Sequence, residues 1–498
     1  MSFKDKKLVY SLVYGLFIIV NIALNPNLVV LNMYALLLGL FIIYNLKWES
    51  RTELLYYFVL LFSVMDYAFN LPLLGRFNIY YLHIALFILT IIIFSGFIRS
   101  GYLWQPKLLV KNKYILFLTI FIGYMFLSLT WVSSQGTAIK YLLNYLIMIC
   151  YLIAVYYFNP NRTKLMETIK LLFTCAVFVL LIGCFEIMGI RIPVRNIFTD
   201  SGWYSIGVDY LKTIPTVFFY NPNNYAVYLI MLMAFCIPGI IFARNLRLKV
   251  LLIVMQVVCL LNLIFTTSRT AWFTMFLTIV GFVLFFAFFK ERYKAIKAAK
   301  VGIITLLIFY ALSFVPALDV YYGKFNDTPL LNFLSLHANK TDLPLFTLNE
   351  SGSANDRYTI IVDVIKGVTQ EGHWQGFGVN NTSLYLAELN NTHGFFNVHS
   401  LWFEILGDFG ILIFFYLIYI YLSLLWDLLK FYRLSIKENE FGPEAYLSVS
   451  LIAALGGFIL TSFAPSSVIS FSQMWLLFAL AATLITRPES FIEVGSQK

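Results

Sequence analysis

The stretch HSLWFEILGDFG, residues 399–410, closes a long polar interval that begins at about Asp319 in an otherwise apolar chain. Roughly eleven hydrophobic runs precede this interval and about three follow it, each long enough to cross a hydrocarbon layer of ~30 Å as a helix. The sequence therefore predicts a helical bundle that holds one polar loop at a membrane surface. We expect the chemistry of the protein to lie in this loop.

The composition excludes a soluble globular protein. Of the 498 residues, 60% are hydrophobic and 12% are charged, whereas soluble domains carry about 25% charge. The chain lacks the alternating segments of about ten residues that form membrane β-barrels. Its five cysteines all lie in apolar runs, which indicates neither a disulfide framework nor a zinc site. The predicted fold is an all-α, polytopic integral membrane bundle with about 12 to 14 transmembrane helices.

The net charge of +10 is explained by its distribution along the chain. Lysines and arginines cluster in alternate connections, such as residues 244–249 and 290–300, whereas residues 133–136 and 462–467 carry none. Cytoplasmic loops of membrane proteins carry an excess of lysine and arginine. This alternation predicts that both termini are cytoplasmic, that the long polar interval is extracytoplasmic, and that no nucleic-acid partner is needed to explain the charge.

The hydrophobic runs divide the chain into four parts. Candidate spans cover residues 8–24, 28–46, 54–74, 78–97, 114–132, 137–158, 166–189, 222–242, 248–266, 270–289, 299–317, 401–428, 445–464 and 468–486. Residues 1–220 hold the N-terminal spans with an outer loop at 190–221, and residues 221–317 hold spans joined by a short Thr-Ser-Arg turn. Residues 318–400 form the long extracytoplasmic loop, and residues 401–498 form the C-terminal spans.

One helix is predicted inside the long loop. The sequence SAND at residues 353–356 has the spacing of a capping box and predicts a helix that opens at Ser353. Apolar side chains then follow at helical spacing, which predicts a face resting on the bundle or on the membrane interface. These positions are Tyr358, Ile361, Val362, Ile365 and Val368.

Arg269 lies in a turn of only a few residues, TTSRTAW at 266–272, between two spans. The next helix begins there, directly after Ser268, so backbone N–H groups and the positive end of the helix dipole would lie beside a guanidinium group. Such a turn predicts an anion site. The alternative is that Arg269 extends to lipid phosphates at the membrane surface.

Three further arginines fall on the predicted outer side. Arg357 lies in the first turn of the predicted loop helix, and Arg191 and Arg195 flank residues 192–194 in the other long outer loop. A guanidinium binds phosphate in a bidentate manner and keeps its charge at any pH, so two converging arginines would favour a lipid pyrophosphate over a neutral ligand. The alternatives are an ion pair with Asp356 for Arg357, and interfacial anchoring for Arg191 and Arg195.

His399 stands where the polar interval re-enters the membrane. Glu404 and Asp408 follow one and two turns further on, four residues apart and therefore on one helix face. A histidine with an ordinary pKa near 6.5 can accept a proton from an attacking hydroxyl at neutral pH. The alternative is that His399 only caps the helix or faces solvent.

Taken together, these motifs resemble the O-antigen ligase and Wzy-type polysaccharide polymerase superfamily of bacterial envelope enzymes. The matching motifs are NPNNYA at 221–226, TSRTA at 267–271, Arg357, GFG at 376–378, HSL at 399–401 and LGDFGI at 406–411. In that family the last motif usually has an asparagine after the histidine and a glutamate before the glycine, whereas Ser400 and Asp408 occupy those places here. The resemblance covers about residues 221–428 and reaches the N-terminal spans by hydropathy alone.

The resemblance implies a GT-C-like, inverting, metal-independent glycosyltransferase without a cofactor, in a bacterial cell membrane. Its donor would be an oligosaccharide on undecaprenyl pyrophosphate, its acceptor a glycan or lipid-linked glycan, and its further partners membrane lipids and other polysaccharide-assembly proteins. Carried over by position, Arg269 and Arg357 would bind the pyrophosphate, and His399 would activate or orient the acceptor hydroxyl. The remaining expected substrate-binding residues are Ser268, Asn223, Glu404, Asp408, Arg191 and Arg195. Polymerases and ligases share these motifs, and we favour a polymerase.

A transporter for lipid-linked sugars is the competing hypothesis. It predicts polar residues in the middle of spans and interrupted helices in two matching halves. The sequence offers Asp66 inside a hydrophobic run and Lys140 near a span end, without such symmetry. A purely structural scaffold would leave the outer arginines unexplained.

Overall fold

A computed structural model describes residues 3–24, 26–65, 70–73, 77–100, 112–202, 209–326, 347–465 and 468–491. The first eight helices are α1 (Phe3–Leu24), α2 (Val29–Asn45), α3 (Arg51–Val64), α4 (Tyr81–Ser100), α5 (Lys113–Ser128), α6 (Gln135–Phe158), α7 (Arg162–Ile187) and α8 (Ile197–Asp200). The others are α9 (Pro222–Phe242), α10 (Leu246–Phe265), α11 (Arg269–Phe288), α12 (Arg292–Leu312), α13 (Asp319–Asn326), α14 (Ser353–Thr369), α15 (Thr382–Leu389), α16 (Leu401–Glu438), α17 (Pro443–Thr461) and α18 (Ser472–Thr486). Asp66 and both chain ends lie outside the described residues.

The prediction of a polytopic helical membrane protein is confirmed. Among the described residues, 10 helices are long and apolar enough to cross a membrane, and α4, α5 and α18 are shorter apolar helices. One predicted span is wrong, because residues 54–74 do not form a continuous helix. Helix α3 ends at Val64, and a two-stranded antiparallel hairpin follows, β1 (Asn70–Leu73) and β2 (Phe77–Tyr80). Pro72 lies in this run, and proline interrupts the helical hydrogen-bond ladder whatever the hydropathy of its neighbours.

Helix α9 lies at the centre of the bundle. It packs against α10, α11, α12 and α17, and nearly all its side chains from Asn224 to Phe242 are buried. The sequence accounts for this position, because a helix that is apolar all round is stable only when it is covered on every side. Its start is well defined: Pro222 occupies the first turn, and the Asn221 side chain accepts a hydrogen bond of 2.8 Å from the Asn224 N–H.

The connections predicted to be cytoplasmic lie at one end of the bundle and contact one another. Arg162, at the start of α7, lies 3.0 Å from the carboxylate of Glu444 at the start of α17. Lys294 of α12 lies 3.6 Å from Glu440, which precedes α17. We call this the basic end of the bundle.

The opposite, polar end gathers the predicted outer connections. Asn381 of the long interval accepts a 2.8 Å hydrogen bond from the Ser134 N–H, which lies in the connection between α5 and α6. The Trp131 indole donates to the Gly376 carbonyl over 3.1 Å. The long interval therefore covers the ends of helices that are far from it in sequence.

Helix α16 is broken at Gly410, which has φ 73° and ψ −173°. Residues 374–378 lie against the break and replace the lost helical hydrogen bonds, as interrupted helices require. The bonds run from Phe377 N–H to Gly407 O (2.8 Å), from Gly378 N–H to Asp408 O (2.8 Å) and from Ile411 N–H to Trp374 O (3.0 Å). A Cβ atom at Gly410 would lie 2.2 Å from Trp374 O, and one at Gly376 would lie 2.5 Å from Asp408 O. The GFG motif at 376–378 and the LGDFGI motif at 406–411 therefore form the two sides of one junction.

Helix α14 forms as predicted, but its cap and its buried face differ from the prediction. The N-cap is Gly352, with φ 136°, and its N–H donates to the Asp356 carboxylate over 3.3 Å. The prediction of a capping box that opens at Ser353 is therefore wrong, because the N-cap lies one residue earlier, at Gly352.

The buried face of α14 consists of Ile360, Val364 and Val368, which pack against Leu406 of α16. Of the apolar residues predicted to be covered, Tyr358 and Ile365 are exposed, at 37% and 38%. Apolar side chains cover more than half the circumference of this helix, so periodicity alone does not select the face. Packing against α16 selects it.

Candidate functional site

Arg269 opens helix α11 directly after a tight turn. Helix α10 ends at Phe265, and Thr267 adopts a left-handed conformation with φ 55°. The Trp272 indole donates to the Leu263 carbonyl over 3.0 Å and ties the two helix ends together. Ser268 is the N-cap residue, is buried, and makes no side-chain capping bond. A helix N-terminus without such a cap favours an anion.

Arg357 lies beside Arg269. Its Nη1 donates to the Phe463 carbonyl over 3.1 Å. Burial and then the positive charge of Arg269 lower the pKa of Arg357 to about 10. The alternative of an ion pair with Asp356 is wrong, because that carboxylate pairs with His393 Nδ1 over 2.9 Å. Two neighbouring guanidinium groups in a partly buried site destabilise each other until an anion lies between them.

His399 completes the cluster. Its Nδ1 lies 3.1 Å from the Pro465 carbonyl, and because a carbonyl only accepts, Nδ1 carries the proton and Nε2 is left as an acceptor. Burial and then the charge of Arg357 lower the pKa of His399 to about 4. The imidazole is therefore neutral at neutral pH. Its backbone is left-handed, with φ 51°, a conformation that non-glycine residues adopt at a cost and that is frequent at functional sites.

The segment that follows α17 joins two of these residues. Its Phe463 carbonyl accepts from Arg357, and two residues later its Pro465 carbonyl accepts from His399. The side-chain pattern of the sequence does not reveal this contribution, because any residue type supplies a main-chain acceptor. The available signal was that residues 462–467 form an uncharged connection on the same predicted side as the arginines. Three residues that are far apart in the chain thus converge at the polar end.

Asp408 anchors the long interval to α16. The side chain is 2% exposed, and its carboxylate accepts from Thr382 Oγ1 (2.6 Å), from the Thr382 N–H (3.3 Å) and from the Asn380 N–H (2.7 Å). These bonds favour a structural role over substrate binding. Glu404 lies one turn closer to His399, partly buried, and its carboxylate interacts with the backbone of Val468. Among the described residues, no group of three or more His, Cys, Asp or Glu side chains converges as a metal site would require.

Arg191 is engaged inside its own loop. Its Nε donates to the Lys212 carbonyl over 2.8 Å. Its Nη2 donates to the carbonyls of Leu211 (3.1 Å) and Ile214 (2.5 Å), and its Nη1 lies 3.8 Å from the Glu186 carboxylate. These contacts hold the loop between α7 and α9 in shape. They favour a structural role for Arg191.

Arg195 and Asn223 also lie apart from the cluster. The Arg195 Nε pairs with Asp200 over 2.8 Å, and the same carboxylate accepts a hydrogen bond of 2.9 Å from the Tyr220 hydroxyl. The hydrogen bond with Asp200 raises the pKa of Arg195. Asn223 lies partly buried in the first turn of α9. No contact found among the described residues joins Arg195 or Asn223 to Arg357 or His399.

The part of the chain that carries this geometry is similar to a known protein family. Residues 254–418 match the family model described as O-antigen ligase, and this range contains Arg269, Arg357 and His399. The predicted resemblance to the O-antigen ligase and Wzy-type superfamily is confirmed over this part of the chain, and the fold is that of a multi-span membrane protein. The chain is 26% identical to the teichuronic acid biosynthesis protein TuaE of Bacillus subtilis (strain 168) over 435 residues. The aligned region covers 86% of this chain and 83% of TuaE.

Proposed function

We propose that the protein is a glycosyltransferase that polymerises undecaprenyl-pyrophosphate-linked oligosaccharides into a cell-surface polysaccharide. The observation that carries this proposal is the convergence of Arg269, Arg357 and His399 at one end of the bundle. A pair of cations beside a neutral imidazole suits the transfer of a sugar from a pyrophosphate. The similarity to a teichuronic acid biosynthesis protein supports a polymer of the teichuronic-acid type.

The two arginines would bind the donor through its pyrophosphate. Guanidinium groups bind phosphate oxygens in a bidentate manner. Their positive charge stabilises the transition state most, because negative charge develops on the leaving group as its bond to the sugar breaks. No acid is then needed to protonate that leaving group. The first turn of α11 would add its N–H groups to the same anion. In this chemistry the protein needs neither a metal nor a cofactor.

His399 would receive the acceptor hydroxyl. With Nδ1 turned to the Pro465 carbonyl, Nε2 accepts the hydroxyl proton while the acceptor oxygen attacks the anomeric carbon of the donor. The new carbon–oxygen bond forms as the bond to pyrophosphate breaks on the opposite face, so the configuration at that carbon inverts. Positioning of this kind, with one base, supplies a large part of the rate.

Donor binding would also strengthen the base. In the protein without donor, burial and Arg357 lower the pKa of His399 to about 4. A pyrophosphate between the arginines would offset the positive charge that acts on the imidazole, and its own negative charge would favour the imidazolium. The pKa would then rise towards neutrality, where a general base is most effective. Proton acceptance would thus be coupled to the presence of the donor.

The reaction would take place on the extracytoplasmic face of a bacterial cell membrane. The basic connections lie at the opposite end from Arg269, because Arg269 opens α11 and the basic residues 290–300 follow the far end of this 20-residue helix. The positive-inside bias assigns that end, with the chain termini, to the cytoplasm. The donor lipid would lie in the membrane beside the bundle, and other polysaccharide-assembly proteins would supply it.

The test is transfer by the purified full-length protein in lipid bilayers, supplied with one lipid-pyrophosphate-linked oligosaccharide. A polymerase converts this single substrate into products that are integer multiples of the repeat, and it releases the lipid pyrophosphate. Arg269→Ala and His399→Ala should each lose this activity by roughly 10²-fold or more, whereas His393→Ala, a change at a histidine paired with Asp356, should retain most of it.

Three results would contradict parts of this proposal. Product only after addition of a separate glycan acceptor would indicate a ligase. Movement of the donor lipid across the bilayer without a new glycosidic bond would indicate the alternative, a transporter for lipid-linked sugars. Full activity in the Arg269 and His399 variants would refute the assigned site.

A further inference from the structure

A lipid-facing groove lies at the basic end of the bundle, far from Arg269. It encloses about 230 Å³ between α9, α10 and α12. Its mouth carries Lys249 near the start of α10, and Lys297 and Lys300 near the start of α12. Helix α10 has 20 residues, a length of about 30 Å, so these lysines and the first turn of α11 lie at opposite ends.

The three lysines at the mouth differ from Lys294, a neighbouring lysine of this end. Lys294, one turn away on α12, is buried between Glu291 and Glu440. Among the described residues, no carboxylate lies within ion-pair distance of Lys249, Lys297 or Lys300. The charge at the mouth is therefore not neutralised by the protein.

The groove also contains a buried amide with no partner. Gln256 lines it, is 4% exposed, and has neither its amide nitrogen nor its amide oxygen in a hydrogen bond among the described residues. Gln256 lies seven residues beyond Lys249 on α10, which places it about 10 Å deeper. Buried polar groups are nearly always hydrogen-bonded, so this amide indicates a polar group of a ligand at that depth.

The walls are apolar and open towards the lipid side. Ile253, Val257 and Ile304 line the groove and are 42%, 41% and 58% exposed. The site therefore combines a cationic mouth, a hydrogen-bonding position about 10 Å deeper and an apolar wall along its length. A diacyl lipid has the same sequence of groups, from phosphate to ester carbonyl to acyl chain.

We propose that this groove binds an anionic glycerophospholipid from the leaflet at the basic end. The lysines bind its phosphate, the Gln256 amide donates to an ester carbonyl, and an acyl chain lies along the isoleucine and valine side chains. Basic pockets between membrane helices recognise such headgroups, at roughly fivefold in affinity per lysine near the surface. This site lies at the end opposite to the proposed glycosyl transfer and does not depend on it.

The experiment uses the delipidated full-length protein in detergent, with native mass spectrometry and thermal unfolding as readouts. Phosphatidylglycerol should bind stoichiometrically and raise the unfolding temperature. Phosphatidylcholine with the same acyl chains and soluble glycerol 3-phosphate should do neither at equal concentration. Equal effects of the two lipids would refute recognition of the anionic headgroup, and an equal effect of glycerol 3-phosphate would show a free phosphate ester to be the ligand instead.

Variants test the residues named. The change of Lys249, Lys297 and Lys300 to glutamine should weaken phosphatidylglycerol binding by about 10- to 100-fold. The matched control changes Lys47, Lys290 and Lys437, which are exposed basic residues outside the groove, and should leave binding unchanged. Gln256→Leu keeps the net charge and tests whether an ester carbonyl of the lipid binds at the depth of this amide. It should weaken phosphatidylglycerol binding several-fold.

Two outcomes would overturn the assignment. Equal losses in both triple variants would show that net charge, and not the groove, controls binding. Unchanged lipid binding in Gln256→Leu would refute the placement of the ester carbonyl, and this single variant serves where the triple variant does not fold.

Discussion

The two polar loops at the polar end both carry arginines, but the arginines make different contacts. In the loop between α7 and α9, Arg191 donates to three carbonyls and lies beside Glu186, and Arg195 pairs with Asp200. In the long interval, Arg357 donates to one carbonyl and lies beside a second cation.

This difference separates structural arginines from the arginine for which we propose ligand binding. A guanidinium that donates to several carbonyls and has a carboxylate beside it stabilises a loop, because its charge is already balanced within the protein. A guanidinium that is partly buried next to another positive charge is electrostatically unsatisfied. Both kinds look alike in sequence, since each is a basic residue on the predicted outer side. Only the surrounding carboxylates and carbonyls distinguish them.

The largest expected effect is the difference in polymer formation between arginine substitutions in the two loops. Arg357→Gln should lower polymer formation by roughly 10²- to 10³-fold, because it removes one charge from the proposed leaving-group site. Arg195→Gln, the matched control in the other loop, should change it less than about threefold, because exposed ion pairs contribute little. Arg357→Lys should lie between these values, since it keeps the charge without the bidentate geometry. Turnover of a lipid-linked oligosaccharide at saturating donor measures all three, and equal losses in Arg195→Gln and Arg357→Gln would erase the contrast between the loops.

The next effect concerns how the long interval is held. Gly376→Ala should displace residues 374–378 from the break in α16, because the added Cβ would meet Asp408 O at 2.5 Å. Gly372→Ala is a matched control with a similar φ, +86° against +82°, but with nothing within 4 Å of its Cβ. Both changes carry the cost of a left-handed alanine, about 1 kcal/mol. The close contact should add about 2 kcal/mol more in Gly376→Ala, which thermal unfolding and limited proteolysis of the interval can measure.

Much of the fold was predictable because it follows from hydropathy. The spans from α9 to α12 appear where apolar runs lie, and the central place of α9 follows from its uniformly apolar composition. The failures have local causes. A β-hairpin with Pro72 in its first strand replaces the end of the helix that hydropathy predicted, and α14 buries Ile360 and Val364 where periodicity favoured Tyr358 and Ile365.

The candidate site was predictable only in part. Arg269, Arg357 and His399 could be named, because basic residues on the outer side and a histidine at a helix start are visible in the sequence. The carbonyls of Phe463 and Pro465 could not be named, because any residue type supplies a carbonyl. Their role depends on a segment that is more than 60 residues beyond His399 folding back onto it, as the separation of 66 residues shows.

A smaller effect should appear in the stability of the first loop. Glu186 is buried, accepts hydrogen bonds from the N–H groups of Thr216 and Val217 at 2.7 and 2.8 Å, and lies 3.8 Å from Arg191. Arg191→Gln removes a positive charge beside this carboxylate and the donors that hold residues 211–214. We expect a loss of about 2 kcal/mol in unfolding free energy, with turnover per folded molecule within about threefold of the unmodified protein. A large fall in turnover at unchanged stability would instead assign Arg191 to the substrate.

The smallest and most specific effect is a shift in the titration of His399. Burial and Arg357 lower its pKa from 6.5 to about 4, so its protonation opposes folding, and the stability present above pH 6.5 is lost as the pH falls towards about 4.

Diethyl pyrocarbonate modifies neutral imidazole, and mass spectrometry can follow the peptide that contains His399. Its reactivity, relative to free acetylhistidine, should persist well below pH 6.5. In Arg357→Gln the loss of the neighbouring positive charge favours the imidazolium, so the pKa should rise and reactivity should fall off at a higher pH than in the unmodified protein, whereas Arg195→Gln should leave the profile unchanged. Identical profiles for all three proteins would mean that Arg357 and His399 do not share one site, and the contrast between the two loops would then lose its electrostatic basis.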